Sequence, residues 1–384
     1  MADRLEQQIE LALDQASAGP ATTKPIASNG PLVLFGAGRL GLITLAGLRK
    51  IGIEPAAWAD NNPRLQGTVI EALTVFSPAE ASAKFGGAAT FVVTIYTGAG
   101  VRQQLVEMGL RVVSFAQLFR QFHEAFLPYW CLDRPGKLGP HRKEILRGAG
   151  IWADDASRRE YLAQIRYRAL LDECVPPPHP GPMYFSDDLL KLTEDEVFVD
   201  CGAYDGDTLR SFLQRCSNSF RKIVALEPDA ANFQRLRDFV STLPKDVRER
   251  IQLEQAAVGA RRDTLRFDAM GTVGSQVNAA GPCEVQCVPL DEVLADCGAS
   301  LIKMDIEGYE LEALQGARKV IREHRPALAI CLYHHQEDLW QIPLLISSLS
   351  EDYRLFLRRY SDDCWEQMCY AIPPHRLLAV DRAP

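Results

Sequence analysis

Asp200-Cys-Gly-Ala-Tyr-Asp-Gly206 sets two glycines and two carboxylates directly behind the apolar run Val197-Phe198-Val199. Such a segment reads as strand, tight turn and helix start, the place where open α/β sheets receive a nucleotide-like ligand. A second apolar run, Ile223 to Leu226, ends in Glu227-Pro228-Asp229, and Glu227 lies 21 residues beyond Gly206. A carboxylate at that offset from a glycine turn can accept both hydroxyls of a ribose. The segment lacks the full Gly-x-Gly-x-x-Gly that brings a helix N-terminus against a pyrophosphate. A ligand with a ribose and no phosphate needs only the close backbone approach and the acid. S-adenosylmethionine (SAM) meets this description, and its ammonium would be received by Asp200 or Asp205.

Leu301-Ile-Lys-Met-Asp305-Ile-Glu307-Gly-Tyr-Glu310 repeats the pattern of apolar strand, acidic end and helix. Leu311, Leu314, Ala317, Val320 and Ile321 then recur at helical spacing with one buried face. Asp305 and Glu307 share a face if the strand continues that far. Both also suit a helix N-terminus, where acids are favourable without any chemistry. Leu328 to Leu332 reads as a further strand, with Tyr333-His334-His335 at its end. Adjacent strand residues face opposite ways, so only one of the two histidines reaches a site there. Asp305, Glu307, His334 and His335 are the candidates for a general base. His334 with Asp305 and Glu307 could also bind a divalent cation, but no metal-ligand spacing is explicit and a metal-free site is expected.

Taken together, Phe198-Val-Asp-Cys-Gly-Ala-Tyr-Asp-Gly206, Ala225-Leu-Glu-Pro-Asp229, Gln255-Ala-Ala-Val-Gly259, Gly274-Ser275, Val288-Pro-Leu-Asp291 and Ile302-Lys-Met-Asp-Ile-Glu-Gly308 form an ordered set. In content, order and spacing the set resembles the FkbM family of SAM-dependent methyltransferases, over roughly residues 180–375. The resemblance implies a seven-stranded Rossmann-like sheet, SAM as donor and methyl transfer to a hydroxyl. The cofactor site it implies comprises Asp200, Gly202, Ala203, Tyr204, Asp205, Gly206, Glu227, Pro228 and Asp229. Asp305 and Glu307 fall at the methyl-transfer end. It favours His334 over His335, because Tyr-His precedes a run like Glu337-Asp338-Leu339. Met183-Tyr184-Phe185 would cover the cofactor. One departure stands out: related chains often carry Arg-His-Tyr where this one has Arg358-Arg359-Tyr360. Arg359 cannot replace a histidine in proton transfer, because a guanidinium keeps its proton near neutral pH.

Nearer the N-terminus, Pro31-Leu-Val-Leu-Phe-Gly36-Ala-Gly38-Arg-Leu-Gly41 is a full Gly-x-Gly-x-x-Gly after a strand. Asp60 follows 19 residues beyond Gly41, again at ribose-acid spacing. Phe91 to Thr94 and Val112 to Phe115 read as further strands, the first running into the loop Tyr96-Thr97-Gly98. Gly36, Gly38, Gly41 and Asp60 could bind NAD, a nucleotide-sugar or nothing. Gly36-Ala-Gly38 and Asp60-Asn-Asn-Pro63 resemble the N-terminal domains of bacterial sugar acyltransferases, which implies a nucleotide-sugar.

The fold class expected is α/β with two Rossmann-like domains, the C-terminal one a seven-stranded class I SAM-methyltransferase sheet. Four segments result: a helix and linker over 1–30, the accessory domain over 31–120, a helical linker region over 121–182 and the methyltransferase domain over 183–384. Within the third, Lys143 to Leu171 reads as helical with a break at Gly148 and Gly150. Cys174-Val-Pro-Pro-Pro-His-Pro-Gly-Pro182 reads as a stiff hinge.

The 384 residues carry a net charge of −8, which argues against sequence-independent nucleic-acid binding. No apolar run is long enough to span a membrane, and the polar N-terminus is unlike a signal peptide. Ten cysteines lie scattered without a CxxC pair, which fits reduced thiols in a cytoplasm. The expected function is SAM-dependent O-methylation of a sugar or sugar-containing small molecule, or a glycan. The competing class is a nucleotide-sugar or NAD binding protein with a degenerate methyltransferase half. A third is a homo-oligomer built on the 1–17 helix.

Overall fold

The computed structural model describes residues 2–17, 26, 30–96, 98–129, 132–361 and 365–378. Most of the linker expected before Gly30, and Thr97, lie outside the described residues. The chain divides into two compact units. One comprises 1–143, 162–178 and 361–365; the other comprises 144–161, 179–360 and 366–384. Among the described residues no helix is long and apolar enough to cross a membrane.

The first unit holds β1 (Leu32–Phe35), β2 (Ala57–Ala59), β3 (Val69–Ile70), β4 (Leu73–Phe76), β5 (Thr90–Val93) and β6 (Arg111–Ser114). They form a six-stranded sheet in the order β3-β4-β2-β1-β5-β6, parallel except for the β3–β4 hairpin. β1 and β5 are buried throughout, as parallel strands covered on both faces must be. The hairpin turns through Glu71 and Ala72, both at positive φ, with no glycine or asparagine to mark it in the sequence. The helix Ala2–Ser17 buries Leu5, Ile9 and Leu13 within this unit.

The second unit holds β7 (Val197–Cys201), β8 (Lys222–Leu226), β9 (Ile251–Glu254), β10 (Ala257–Val258), β11 (Asp263–Asp268), β12 (Gln276–Val277), β13 (Cys283–Val288), β14 (Leu301–Met304), β15 (Ala327–Cys331), β16 (Arg354–Arg359) and β17 (Gln367–Ile372). Seven of them form one sheet in the order β16-β17-β15-β14-β7-β8-β9. Only β17 runs against the rest. This is the seven-stranded sheet that the resemblance implies. The order reverses between β7 and β14, and ligands of such sheets bind beyond the strand carboxyl ends at that reversal. Gly202, Glu227, Asp305 and His334 all follow carboxyl ends near it. β10, β13, β11 and β12 form a separate four-stranded sheet. Phe198 of β7 stacks on Phe212 of the helix Asp207–Arg215 at 4.6 Å, fixing that helix behind the turn. Arg359 is buried and ion-paired to Glu160 at 2.9 Å. The position where related chains carry histidine is therefore part of the packing of this unit.

Candidate active site

From the end of β7 the chain turns through Gly202 (φ +78°) and Gly206 (φ +89°) into the helix Asp207–Arg215. A Cβ on Gly202 would lie 2.0 Å from the backbone oxygen of Asp305, and one on Gly206 would lie 2.7 Å from the Phe239 ring. Both backbone shape and close approach demand glycine here. Gly202→Ala is therefore expected to cost about 3 kcal/mol or more of stability, read as a lower denaturant midpoint at unchanged slope.

Between this turn and the ends of β8 and β14 lies a cleft of about 750 Å³, open to solvent at its mouth. Glu227 is 5% exposed and lines it. Its Oε2 accepts from the Tyr204 backbone N–H at 2.9 Å, and its Oε1 from that of Asp229 at 2.9 Å. Burial pushes the carboxyl up to about 7, against the pull of these donors. Oε1 also accepts from the Asn232 side-chain amide at 3.5 Å, so the open acceptor capacity lies on Oε2. Pro228, Ala256, Val258, Phe267, Val273 and Val277 give the cleft apolar walls. Tyr184, Tyr204 and Glu307 also line it, and all three hold positive φ. Strain of this kind concentrates at functional sites.

At the β14 end, Asp305 and Glu307 line the cleft and meet His334, which is 2% exposed. The His334 Nε2 lies 3.4 Å from Asp305 Oδ1 and 3.7 Å from Glu307 Oε2, and its Nδ1 lies 2.9 Å from Glu310 Oε1. β14 stops at Met304, so the two acids do not share a strand face. They converge through a turn in which Glu307 is left-handed (φ +54°). Burial opposes charge on His334, but Glu310, Glu307 and Asp305 outweigh it and raise its pKa to about 10. A protonated imidazole has no lone pair to offer as a base. Burial works to raise the Asp305 carboxyl, yet His334 and Lys303 hold it below its usual range. The Tyr184 hydroxyl donates to Asp305 Oδ2 at 2.5 Å. His335 turns away, with its Nε2 2.9 Å from the Gly308 oxygen.

A family profile described as the methyltransferase FkbM domain matches residues 200–364, which carry both ends of this cleft. Residues 200–364 are an FkbM methyltransferase domain. No curated protein matches the chain. Among solved structures, the methyltransferase FkbM from Methylobacillus flagellatus KT is similar over 97% of this chain and 100% of its own, at TM-score 0.78 and 24% identity. That likeness shows a shared fold. Fibrillarin from Aeropyrum pernix, in complex with SAM, covers 47% of this chain and 69% of its own at TM-score 0.28 and 10% identity. UDP-D-quinovosamine 4-dehydrogenase from Vibrio fischeri covers 22% and 77% at TM-score 0.19 and 15% identity.

Of the cofactor residues expected in the FkbM domain, Gly202, Tyr204, Glu227 and Pro228 line the cleft. Ala203 and Gly206 are buried in the turn behind it. Asp200 is wholly buried, 3.0 Å from Lys303 Nζ, and Asp205 pairs with Arg210 at 3.0 Å. Asp207, the first residue of the helix Asp207–Arg215, also lines the cleft. Asp229 caps the helix Ala230–Ser241, accepting from Ala231 and Asn232. Its other oxygen accepts from the Gly271 N–H at 2.9 Å and the Ser275 hydroxyl at 2.8 Å, pinning a cleft wall. Asp229→Ala is expected to cost about 1–2 kcal/mol from the cap alone, a fall of roughly 2–8 °C in Tm by calorimetry. Lys303 and Glu310 escaped notice. The clue to Lys303 was a lone cation inside an apolar strand, which must find a buried partner.

In the first unit, Gly36 holds φ +106°, and a Cβ on Gly41 would lie 2.1 Å from the Gly36 oxygen. Gly38 has nothing within 4 Å of where a Cβ would stand. Asp60 braces this turn, accepting from the Ala37 N–H at 2.9 Å and the Asn62 N–H at 2.8 Å. The turn and the acid therefore meet.

Proposed function

We propose that the FkbM domain is a SAM-dependent methyltransferase that acts on a hydroxyl of a sugar or sugar-containing small molecule. The observation that carries this is one cleft with a ribose-ready carboxylate, Glu227, at one strand end and the Asp305–Glu307 pair at another. The residues fit the donor. Glu227 Oε2 has acceptor capacity left for a ribose hydroxyl, and the apolar walls suit a flat adenine. SAM supplies a methyl group on a sulfonium that is already a good leaving group.

The chain's own task is alignment, and holding nucleophile and methyl carbon near contact contributes roughly 7–11 kcal/mol of the barrier. Glu307, the more exposed acid of the pair, accepts the hydroxyl proton, a step worth about 10²–10⁴-fold. Asp305, held by Tyr184 and flanked by His334, orients the acceptor. A sugar offers several hydroxyl donors to these acceptor-only carboxylates. The free state of all eight described cysteines supports a reducing, cytoplasmic setting.

Thermal melts with SAM, NAD and UDP-sugars test this directly. SAM at 100 times its Kd should add about 2.7 kcal/mol. No response to SAM beside a strong one to NAD or a UDP-sugar would favour the binding-protein class. Methyl-labelled SAM incubated with cell extract, followed by mass spectrometry, would then identify the acceptor.

A further inference from the structure

We infer that Asp305, Glu307 and His334 form a binding site for one divalent first-row transition-metal cation at the floor of the cleft. One ligand atom from each residue lies within 4.8 Å of the other two. With Nε2 at 3.4 Å and 3.7 Å from the two carboxylate oxygens, a point roughly 2–2.5 Å from all three exists, which is metal–ligand distance. His334 Nε2 is buried and faces both carboxylates, yet it meets hydrogen-bond geometry with neither. A histidine serving only as a donor would be expected to line up with one of them.

Charge points the same way. Asp305, Glu307 and Glu310 surround one imidazole, and the nearby Lys303 is committed to Asp200. Buried charge without compensation is expensive. Glu310, beside Nδ1, stands where a carboxylate orients a metal-bound histidine. The donor set of two oxygens and one imidazole nitrogen suits Mn²⁺, Fe²⁺, Co²⁺ or Zn²⁺ better than the all-oxygen shells of Mg²⁺ or Ca²⁺.

The cation's use in methyl transfer rests on the function proposed above; its binding does not. An acceptor hydroxyl coordinated from the cleft would be acidified, as water is on such ions. Glu307, holding the ion through one oxygen, would still accept the hydroxyl proton on the other.

The test is equilibrium dialysis of the chelator-treated full-length protein against Mn²⁺ and, separately, Zn²⁺, without SAM, with bound metal measured by mass spectrometry. The expected result is about one ion per chain at a Kd below about 10 µM, weakened about 10-fold or more in both Asp305→Asn and Glu307→Gln. Circular dichroism melts would show both variants folded. Absence of stoichiometric binding at about 100 µM of either ion overturns the inference. So does binding that both folded variants retain unchanged. A SAM titration of the same metal-free protein keeps the two readings apart, since either can fail without the other.

Discussion

Glu227→Gln should lower SAM affinity by about 10-fold or more, since a hydrogen bond to a charged acceptor is worth about 1.5–3 kcal/mol. Glutamine keeps the shape but offers one acceptor oxygen and no charge. The wild-type carboxyl is pushed up to about 7 by burial, so near neutrality it is only partly ionised without ligand. SAM affinity should therefore rise as pH climbs through about 7 in the wild type and stay flat in the variant, read by calorimetric titration from pH 6 to 8. Stability runs the opposite way. The folded pKa lies above the unfolded value of 4.5, so the associated stability is fully present below that value. It is lost as pH rises through the folded value, by roughly 3 kcal/mol in total. Relative to Glu227→Gln, the ligand-free wild type should thus lose stability between about pH 5 and 8. A buried acid that weakens the empty fold and grips a ligand is a functional residue; one serving only the fold would show neither trend in affinity. Equal SAM affinity in the two proteins would defeat the donor assignment.

Much of this site was legible because its chemistry is local in the chain. An apolar run, a glycine and an acid announce β7 with Gly202 and β8 with Glu227, and the structure puts both on one cleft. The convergence of Asp305 and Glu307 on His334 was not legible in its geometry. It depends on a left-handed Glu307 and on a histidine placed by the next strand, and neither leaves a periodic trace. Asp200 shows the limit most clearly. Read locally it is an acid beside a glycine turn and a natural cofactor ligand. The β7–β14 register sets it directly opposite Lys303, and the pair is buried together. Pairing between strands a hundred residues apart is a property of register, which one sequence does not display. Asp229 is similar: its motif position was plain, while its grip on Gly271 and Ser275 was hidden in a loop outside the main sheet.

The Asp200–Lys303 pair carries a large expected effect on stability. Lys303 Nζ lies 3.0 Å from Asp200 Oδ1 and donates to the Gly202 oxygen at 2.6 Å, joining strand, charge and glycine turn at one atom. Both side chains are buried, and neither Asp200 oxygen has a hydrogen-bond partner within the described residues. Burial pushes Asp200 up to about 6 against the pull of Lys303, while the carboxylates raise Lys303 despite its burial, so both are charged at neutral pH. Lys303→Met strands a buried carboxylate, and losing one partner of such a pair costs about 3–5 kcal/mol. In a chain of this size that is a fall in Tm of roughly 10 °C. Replacing both members, as Asp200→Val with Lys303→Met, removes the stranded charge as well, and well-packed apolar substitutes often equal the pair they replace. The double variant should therefore recover most of the lost stability. Donor binding should not recover with it, because the Gly202 oxygen still lacks the ammonium that holds the turn against the cleft. Calorimetry on the three variants, paired with SAM titration, separates the two roles. If the double variant regains donor affinity along with its Tm, the pair serves only the fold; if stability returns alone, Lys303 positions the turn on which donor binding depends.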